Sequence, residues 1–368
     1  MKRNLHSLHQ LLLNKGIAFA RFSLPGQTEA KTYVSYLPES FSDLKSIVSI
    51  QKEGFVFAPF LVDQEHPIWF LSADDKIETG SNLQSIEEFI EQLPDAEEAW
   101  EMDQEETSRN DYAKSFDAFM QALKSSKLDK VILSKIVTKP KTGESLFQLY
   151  SRLSETYPDA FSYMIHLPNG KTWMGATPEL LLKQDERTIQ TMALAGTQLM
   201  QNRKIEDILW EQKEIEEQTY VRDYVKKILT GFSKSVSVSE TYSVKAGNVV
   251  HLRTDFMVNQ AFERINVVEM VKKLHPTPAV CGIPVKESRA MILRSEKHKR
   301  AYYTGYLGPV NASSMALFVN LRCMQVLSGS YALYVGGGIT RDSILEKEWM
   351  ETEAKAQTLL SVINSNEE

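Results

Sequence analysis

The fold is indicated most clearly by Lys130-Val-Ile-Leu-Ser-Lys-Ile-Val-Thr138, a stretch dense in β-branched residues. Residues 130, 132, 134 and 136 share one side of an extended chain, which predicts a β-strand that carries Lys130 into or beside a core. Upstream, Ser108 precedes a helical repeat of apolar residues, so a helix is predicted from about 111 to 125. Further predicted strands and long helices interleave without a strict βαβ alternation, which favours an α+β fold over a doubly wound sheet.

The other predicted elements follow from the same two periodicities. The predicted strands cover residues 55–60, 68–71, 161–167, 171–175, 188–193, 315–325 and 331–335, and the predicted long helices cover 206–229 and 343–362.

Composition excludes several classes of protein. The chain has 368 residues, 42% of them hydrophobic, which suits one large domain or two ordinary ones. A net charge of -6 provides no global basic field for nucleic acid or a membrane surface, so a small anionic ligand would need a locally positive pocket. No segment approaches the ~20 apolar residues of a membrane span. Two cysteines, Cys281 and Cys323, suit a reducing compartment, and we expect a cytoplasmic protein.

The composition changes once, between Asp95 and Glu106. This stretch holds seven acidic residues and no basic ones, as in an exposed connector or a solvated helix face. We place the main boundary there, between an N-terminal region of residues 1–107 and a second region of residues 108–368. The N-terminal region carries little recognisable chemistry.

Two predicted helices carry glutamates three residues apart. Glu214 and Glu217 share one helical face, and Glu348 and Glu351 repeat that spacing near the C-terminus. Like charges at this spacing repel, so each pair is either an exposed, solvated face or a site neutralised by a cation. If the two helices face each other, the carboxylates could hold one Mg²⁺, which prefers oxygen ligands. Lys355 is then either a surface salt-bridge partner or a brace for Glu351.

Three further features could carry chemistry. Glu179 precedes three leucines, and apolar surroundings would raise the pKa of its carboxyl, as a general acid at neutral pH requires. The alternative is a glutamate in the first turn of a helix. Gly336-Gly-Gly-Ile339 either bends the chain after a strand or presents bare backbone N–H groups to a carboxylate. Arg322 is predicted on a strand among apolar neighbours, where it needs an anionic partner from protein or ligand.

Together these segments resemble isochorismate synthases, members of the chorismate-utilising family that also contains anthranilate, aminodeoxychorismate and salicylate synthases. The similarity runs from about Asp111 to the C-terminus and keeps the family order of motifs. The motifs are Lys130-Val-Ile-Leu-Ser134, Gly175-Ala-Thr-Pro-Glu179, Ala193-Leu-Ala-Gly-Thr197, Glu214 with Glu217, Leu274 to Gly282, Leu321-Arg-Cys323, Gly336-Gly-Gly-Ile339 and Glu348-Trp-Met-Glu351. The resemblance implies mainly antiparallel sheets packed as a sandwich, with helices outside and both regions intertwined in one structural domain.

The resemblance also implies catalytic and metal-binding roles. Lys130 would be the general base that activates water, and Glu179 the general acid on the opposite face of the chorismate ring. Mg²⁺ would be bound directly by Glu217 and Glu351. Glu214 and Glu348 would act through metal-bound waters.

The remaining implied roles concern substrate binding. The ring carboxylate would meet the metal and the N–H groups of Gly337 and Gly338. Arg322, with Tyr334, would hold the pyruvyl carboxylate. The other implied substrate-binding residues are Gly196 against the C4 hydroxyl, Ala279 beside the ring, and Lys355.

Details of the motifs separate this chain from its relatives. Aminodeoxychorismate synthases that use a covalent lysine place it where this chain has Ala195, and relatives that add ammonia generally have glutamine at the position of Lys130. No glutamine amidotransferase subunit is expected. Where the family usually reads Glu-His, this chain has Glu217-Gln218, and Gln218 is assigned no role.

The predicted reaction is attack of water at C2 of chorismate with loss of the C4 hydroxyl, which gives isochorismate. Such a product can feed menaquinone or a catecholate siderophore, and both pathways stay open. The alternatives are a salicylate synthase, in which pyruvate is then lost, and a non-catalytic chorismate-binding protein.

Overall fold

The computed structural model describes residues 5–78, 81–95, 104–141, 143–168, 170–200 and 203–364. These ranges contain the helices α1 (Leu5–Asn14), α2 (Leu44–Ser49), α3 (Leu83–Glu91), α4 (Arg109–Lys124), α5 (Leu146–Thr156), α6 (Gln212–Thr230), α7 (Arg264–Leu274), α8 (Val285–Ser295) and α9 (Leu345–Asn364). None of these helices combines the length and the apolar character that crossing a bilayer requires.

The strands in the same ranges are β1 (Ala18–Ser23), β2 (Lys31–Ser35), β3 (Glu39–Phe41), β4 (Gly54–Ala58), β5 (Ile68–Ser72), β6 (Asp75–Ile77), β7 (Lys130–Pro140), β8 (Phe161–His166), β9 (Thr172–Thr177), β10 (Leu180–Gln184), β11 (Thr188–Leu199), β12 (Ser237–Val238), β13 (Tyr242–Ala246), β14 (Val249–Asn259), β15 (Gly282–Ile283), β16 (Tyr306–Val310), β17 (Met315–Val319), β18 (Cys323–Val326) and β19 (Ser330–Ile339).

The strands form two antiparallel sheets. The first sheet has the order β15-β7-β19-β18-β9-β8-β1-β2-β6, and the second has the order β12-β14-β11-β10-β17-β16-β4-β5-β3, with β13 also on β14. Strands from the N-terminal region therefore extend both sheets: β1, β2 and β6 join the first, and β3, β4 and β5 join the second. The centre of the predicted acidic connector, residues 96–103, lies outside the described residues.

The two sheets pack face to face through aromatic side chains. Phe161 of the first sheet stacks on Phe318 of the second, with ring centroids 4.2 Å apart, in a buried cluster drawn from both sheets. Helices α1, α3, α5 and α9 bury their apolar sides against the outer face of the first sheet, and α2, α6 and α7 do so on the second. Burial of this apolar surface is the main favourable term in folding. The predicted α+β sandwich with outer helices is confirmed.

Most predicted elements are present, and their ends show where local pattern is insufficient. The strand predicted from Lys130 is β7, and the predicted helix is α4, where the Ser108 hydroxyl accepts a hydrogen bond from the N–H of Asp111. The single strand predicted over 315–325 is wrong. It is two strands in different sheets, β17 in the second and β18 in the first. The chain crosses between the sheets at residues 320–322, where Arg322 has φ of 47°. Arg322 is therefore not on a strand.

Candidate active site

A cavity beside one edge of β19 collects most of the predicted site residues. On that edge β18 pairs with β19 only as far as Tyr334. Gly336, Gly337 and Gly338 therefore pair with β7 on one side, and on the other side no strand of the described ranges pairs with them. Helices α6 and α9 lie near this open edge. The predicted residues that line the cavity are Glu179, Gly196, Glu217, Ala279, Arg322, Tyr334, Gly337, Gly338 and Lys355.

Lys130, at the start of β7, lies beside the cavity lining in a buried ion pair with Glu217. Its side chain is fully buried, and its Nζ is 2.8 Å from Glu217 Oε1. Burial alone would raise the pKa of Glu217, but the charges of Lys130 and Lys213 hold that pKa below its ordinary value. Gly338 makes the close approach possible, because a Cβ at this position would contact Glu217 Oε1 and lie 3.1 Å from Lys130 Cε.

Glu179 is a buried carboxyl in the turn between β9 and β10, not in the first turn of a helix. Burial raises its pKa to about 8, although the charges of Lys130 and Lys355 oppose that rise. A carboxyl with this pKa is largely protonated at neutral pH and can donate a proton. The apolar neighbours in the sequence therefore correctly indicate a raised pKa.

Arg322 is a desolvated cation at the cavity wall. Its Nη1 donates to Ala246 O at 2.8 Å and its Nη2 to His251 Nε2 at 2.8 Å, and it pairs with no carboxylate of the described residues. Burial lowers its pKa to about 10. A buried guanidinium without a protein counter-ion is suited to an anionic ligand.

His251, on β14, was not among the predicted site residues. Burial and the charge of Arg322 lower its pKa well below the usual value, so its ring is neutral. Because Nε2 accepts from Arg322, the proton is on Nδ1, which lies 3.1 Å from Gly196 O. Gly196 has φ of 72° at a bulge in β11. The ring therefore links Gly196 to Arg322.

The glycines lie inside β19, so they do not bend the chain after a strand. On β7, the N–H groups of Ile132 and Ser134 bond on the side away from β19. In an antiparallel ladder their partners, Gly338 and Gly336, likewise direct their N–H groups away from β7, and Gly337 directs its N–H toward β7. This register favours Gly338 over Gly337 as a donor to a ligand.

Three of the four predicted metal ligands, Glu217, Glu348 and Glu351, lie beside Gly337 and Gly338, but the four do not form a cluster. No three acidic, histidine or cysteine side chains of the described residues are grouped as a ready-made metal site. Glu351 Oε1 is 2.7 Å from Lys355 Nζ, and Glu348 Oε1 is 2.5 Å from Lys213 Nζ. The Glu214 side chain accepts a hydrogen bond from the N–H of Glu211 at 3.0 Å and so caps α6.

The chemistry of these carboxylates nevertheless fits a hard cation. Glu348 Oε2 is buried without a hydrogen-bond partner, and burial and the charge of Glu351 raise the pKa of Glu348. Burial would lower the pKa of Lys213, but Glu348, Glu351 and Glu217 together raise it. Three carboxylates therefore act together on Lys213, and the negative potential that they share suits a divalent cation such as Mg²⁺.

Two tyrosines and a glutamine have contacts that the sequence pattern does not indicate. The hydroxyl of Tyr334 bonds to Gln104 at 3.1 Å, beside a different cavity of about 410 Å³. Tyr303 was not predicted, yet it lines the site and its hydroxyl is 2.8 Å from where a Cβ on Gly336 would lie. Gln218 donates to Ala193 O at 3.1 Å, so it holds α6 against β11.

Comparison with known proteins places this geometry in a family. Residues 55–361 match the family of chorismate binding enzymes. The chain is 28% identical to isochorismate synthase DhbC of Bacillus subtilis, over 97% of this chain and 92% of that protein. It is 28% identical to isochorismate synthase EntC of Escherichia coli, over 64% of this chain and 62% of that protein.

Solved structures have the same fold. A putative 2,3-dihydroxybenzoate-specific isochorismate synthase, DhbC from Bacillus anthracis, superposes with a TM-score of 0.79 at 22% identity, covering 97% of this chain and 99% of that one. MenF, the menaquinone-specific isochorismate synthase from Escherichia coli, superposes with a TM-score of 0.77 at 18% identity, covering 99% of this chain and 92% of that one. The chain belongs to the family of chorismate binding enzymes.

Proposed function

We propose that this protein is an isochorismate synthase. The observation that carries the proposal is that Glu179, a buried carboxyl with a pKa of about 8, lines the cavity, while the buried Lys130 lies against that lining through its ion pair with Glu217. Lys130 begins β7 of the first sheet, and Glu179 begins the turn into β10 of the second. A base and an acid so arranged can act on the two faces of a ring in one displacement.

In the proposed reaction the two groups move one proton each. The ammonium of Lys130, which pairs with Glu217, first releases its proton to solvent, and the amine then accepts a proton from water as the water oxygen bonds to C2 of chorismate. Both ring double bonds shift, C1=C2 to C1=C6 and C5=C6 to C4=C5, as the C4–O bond breaks, and Glu179 donates its proton to the departing hydroxyl, which leaves as water. One water is added and one is lost, so the product is an isomer. No covalent enzyme intermediate is required.

The carboxylates of the substrate need positive partners in an acidic protein. Arg322, oriented by His251, would bind the pyruvyl carboxylate, and the Gly338 N–H and Lys355, which line the same cavity, would bind the ring carboxylate. Glu217 and Glu351 would hold Mg²⁺, with Glu348 and Glu214 behind them. When bound, the metal supplies positive charge that offsets the repulsion between these glutamates and a dianionic substrate.

Product analysis tests the proposal. The purified protein is incubated with chorismate and Mg²⁺, and the products are separated by chromatography while pyruvate is measured with a lactate dehydrogenase assay. We expect isochorismate without stoichiometric pyruvate. Salicylate with equimolar pyruvate would identify a salicylate synthase instead. Binding of chorismate without conversion would identify a non-catalytic binding protein.

Removal of a proposed metal ligand should weaken Mg²⁺ binding. For Glu217→Ala and Glu351→Ala we expect the Kd for Mg²⁺, measured by titration calorimetry without substrate, to rise by about 10–100-fold or more. Glu216→Ala is the matched control, because Glu216 is an exposed residue of the same helix that bonds to Gln212. If both glutamate variants bind Mg²⁺ as tightly as the control, the ligand assignment is wrong.

Added bulk beside the ring should slow the reaction. Ala279 is half-buried and lines the cavity in the loop between α7 and β15. Because a displacement of about 1 Å can cost 10²-fold in rate, Ala279→Thr is expected to lower isochorismate formation by up to that factor. The chromatographic and pyruvate assays are run together on this variant. A variant that matches the wild type in both assays would remove Ala279 from the site.

A further inference from the structure

A second buried ion pair lies behind the cavity wall and contacts the lining from the rear, mainly through the backbone carbonyls of Ile132 and Val280. Glu296 follows α8, and Arg300 lies one turn further along the chain. Arg300 Nη2 is 2.7 Å from Glu296 Oε1, and Arg300 Nε is 2.8 Å from Glu296 Oε2. Both side chains are 2% exposed. A fork-to-fork pair of this kind has a fixed geometry.

The pair takes the place of a neighbouring strand along the outer edge of β7. On this side β15 pairs with β7 only at Lys130 and Val131. Beyond that point Arg300 Nη2 donates to Ile132 O at 2.8 Å. Glu296 Oε1 then accepts from the N–H of Ser134 at 2.8 Å. The edge of the strand that begins with Lys130 is thereby held by two side chains instead of a backbone ladder.

The same guanidinium also holds the loop that carries Ala279. Arg300 Nη1 donates to Val280 O at 2.8 Å. Ile132 N–H donates to Cys281 O at 2.9 Å, so the loop and β7 are also joined directly. One buried arginine therefore sets the distance between the strand of the proposed base and the loop beside the proposed ring position. The planar fork of Arg300 reaches two carbonyls and a carboxylate in fixed directions, a geometry that the single nitrogen of a lysine ammonium does not reproduce.

We propose that Arg300, oriented by Glu296, is a positioning residue that keeps Lys130 in register with Ala279 for the attack of water. The inference rests on the proposed function, because it assigns a role in that reaction. Arg300 touches neither the substrate nor the reacting atoms. Its effect is therefore expected on kcat, while the groups that bind the substrate carboxylates stay in place.

The test is Arg300→Lys, which keeps the positive charge but loses the planar fork. We expect kcat for isochorismate formation to fall by about 10²-fold, since about 1 Å of misplacement can have that effect, with KM for chorismate nearly unchanged. Glu296→Gln keeps the volume and removes the charge, and we expect a fall in the same direction. Chorismate binding by calorimetry and Tm are measured on both variants.

Arg264→Lys is the matched control. Arg264 is half-buried and also bridges two carbonyls, Asn311 O at 2.6 Å and Ser314 O at 2.9 Å, but it does not line the cavity. Its replacement should lower Tm and leave kcat unchanged. If Arg300→Lys and Glu296→Gln lower Tm as the control does but retain kcat, or if they raise KM alone, the positioning role is refuted. A wild-type protein that binds chorismate without converting it would refute the proposed function and this role with it.

Discussion

Lys130→Gln is expected to abolish the addition of water while chorismate still binds. The substitution removes the base and keeps a polar side chain of similar length, which can still donate to Glu217. General base catalysis contributes about 10²–10⁴-fold, so kcat should fall by at least the lower of these factors. The measurements are kcat from the chromatographic assay and the Kd for chorismate by calorimetry.

The same strand supplies the control for this variant. Lys135 is also a buried lysine of β7, but its Nζ lies 3.3 Å from the centroid of the Trp349 ring and pairs with Glu353, on the other side of the strand. Lys135→Gln should therefore retain activity. If Lys130→Gln keeps more than about a tenth of kcat, a base with the expected contribution is excluded.

Glu179→Gln is expected to cause a comparable loss of kcat and to change the pH dependence. Glutamine fills the same volume but cannot protonate a leaving hydroxyl. In the wild type the acid is protonated below its pKa of about 8, so activity should decline as the pH rises through that value. The variant should lack this decline. An unchanged limb above pH 8 in the variant would place the acid elsewhere.

The same carboxyl predicts how stability depends on pH. Its folded pKa of about 8 exceeds the ordinary 4.5, so the stability that the neutral form contributes is present at pH 4 and is lost progressively up to about pH 8. Glutamine does not ionise. Glu179→Gln should therefore raise Tm relative to the wild type at pH 9 and have a smaller effect at pH 5.

Features set by local pattern were predictable from the sequence, whereas features set by tertiary contact were not. The alternation around Lys130 predicts a strand with a buried lysine, and the leucines after Glu179 predict a carboxyl with a raised pKa. The residues on both sides of Arg322 have the apolar pattern of a strand, so nothing in the local sequence shows that the chain passes from one sheet to the other there. His251 also lies in an ordinary strand pattern. Its proximity to Arg322 arises only when β14 and the crossover at residues 320–322 meet.

The glutamate pairs show the same division. The spacing of Glu214 and Glu217 correctly places both on one helix, but Glu214 caps α6 while Glu217 pairs with Lys130. Whether a glutamate caps the helix or points toward Lys130 depends on the residue at which α6 begins. The structure starts this helix at Gln212, later than the predicted residue 206, because residues 205–207 form a separate short turn.

The way in which early strands extend both sheets has a consequence for synthesis on the ribosome. Strand β4, residues 54–58, pairs with β16, residues 306–310, and β1 pairs with β8. Pairings so distant in the chain form slowly, because a long loop must close before any contact stabilises it. β1 can pair early with β2, and β4 with β5, but the other edge of β4 must stay unpaired until most of the chain has been translated. We expect this interval to be the one in which the nascent protein is most prone to aggregation and most dependent on chaperones.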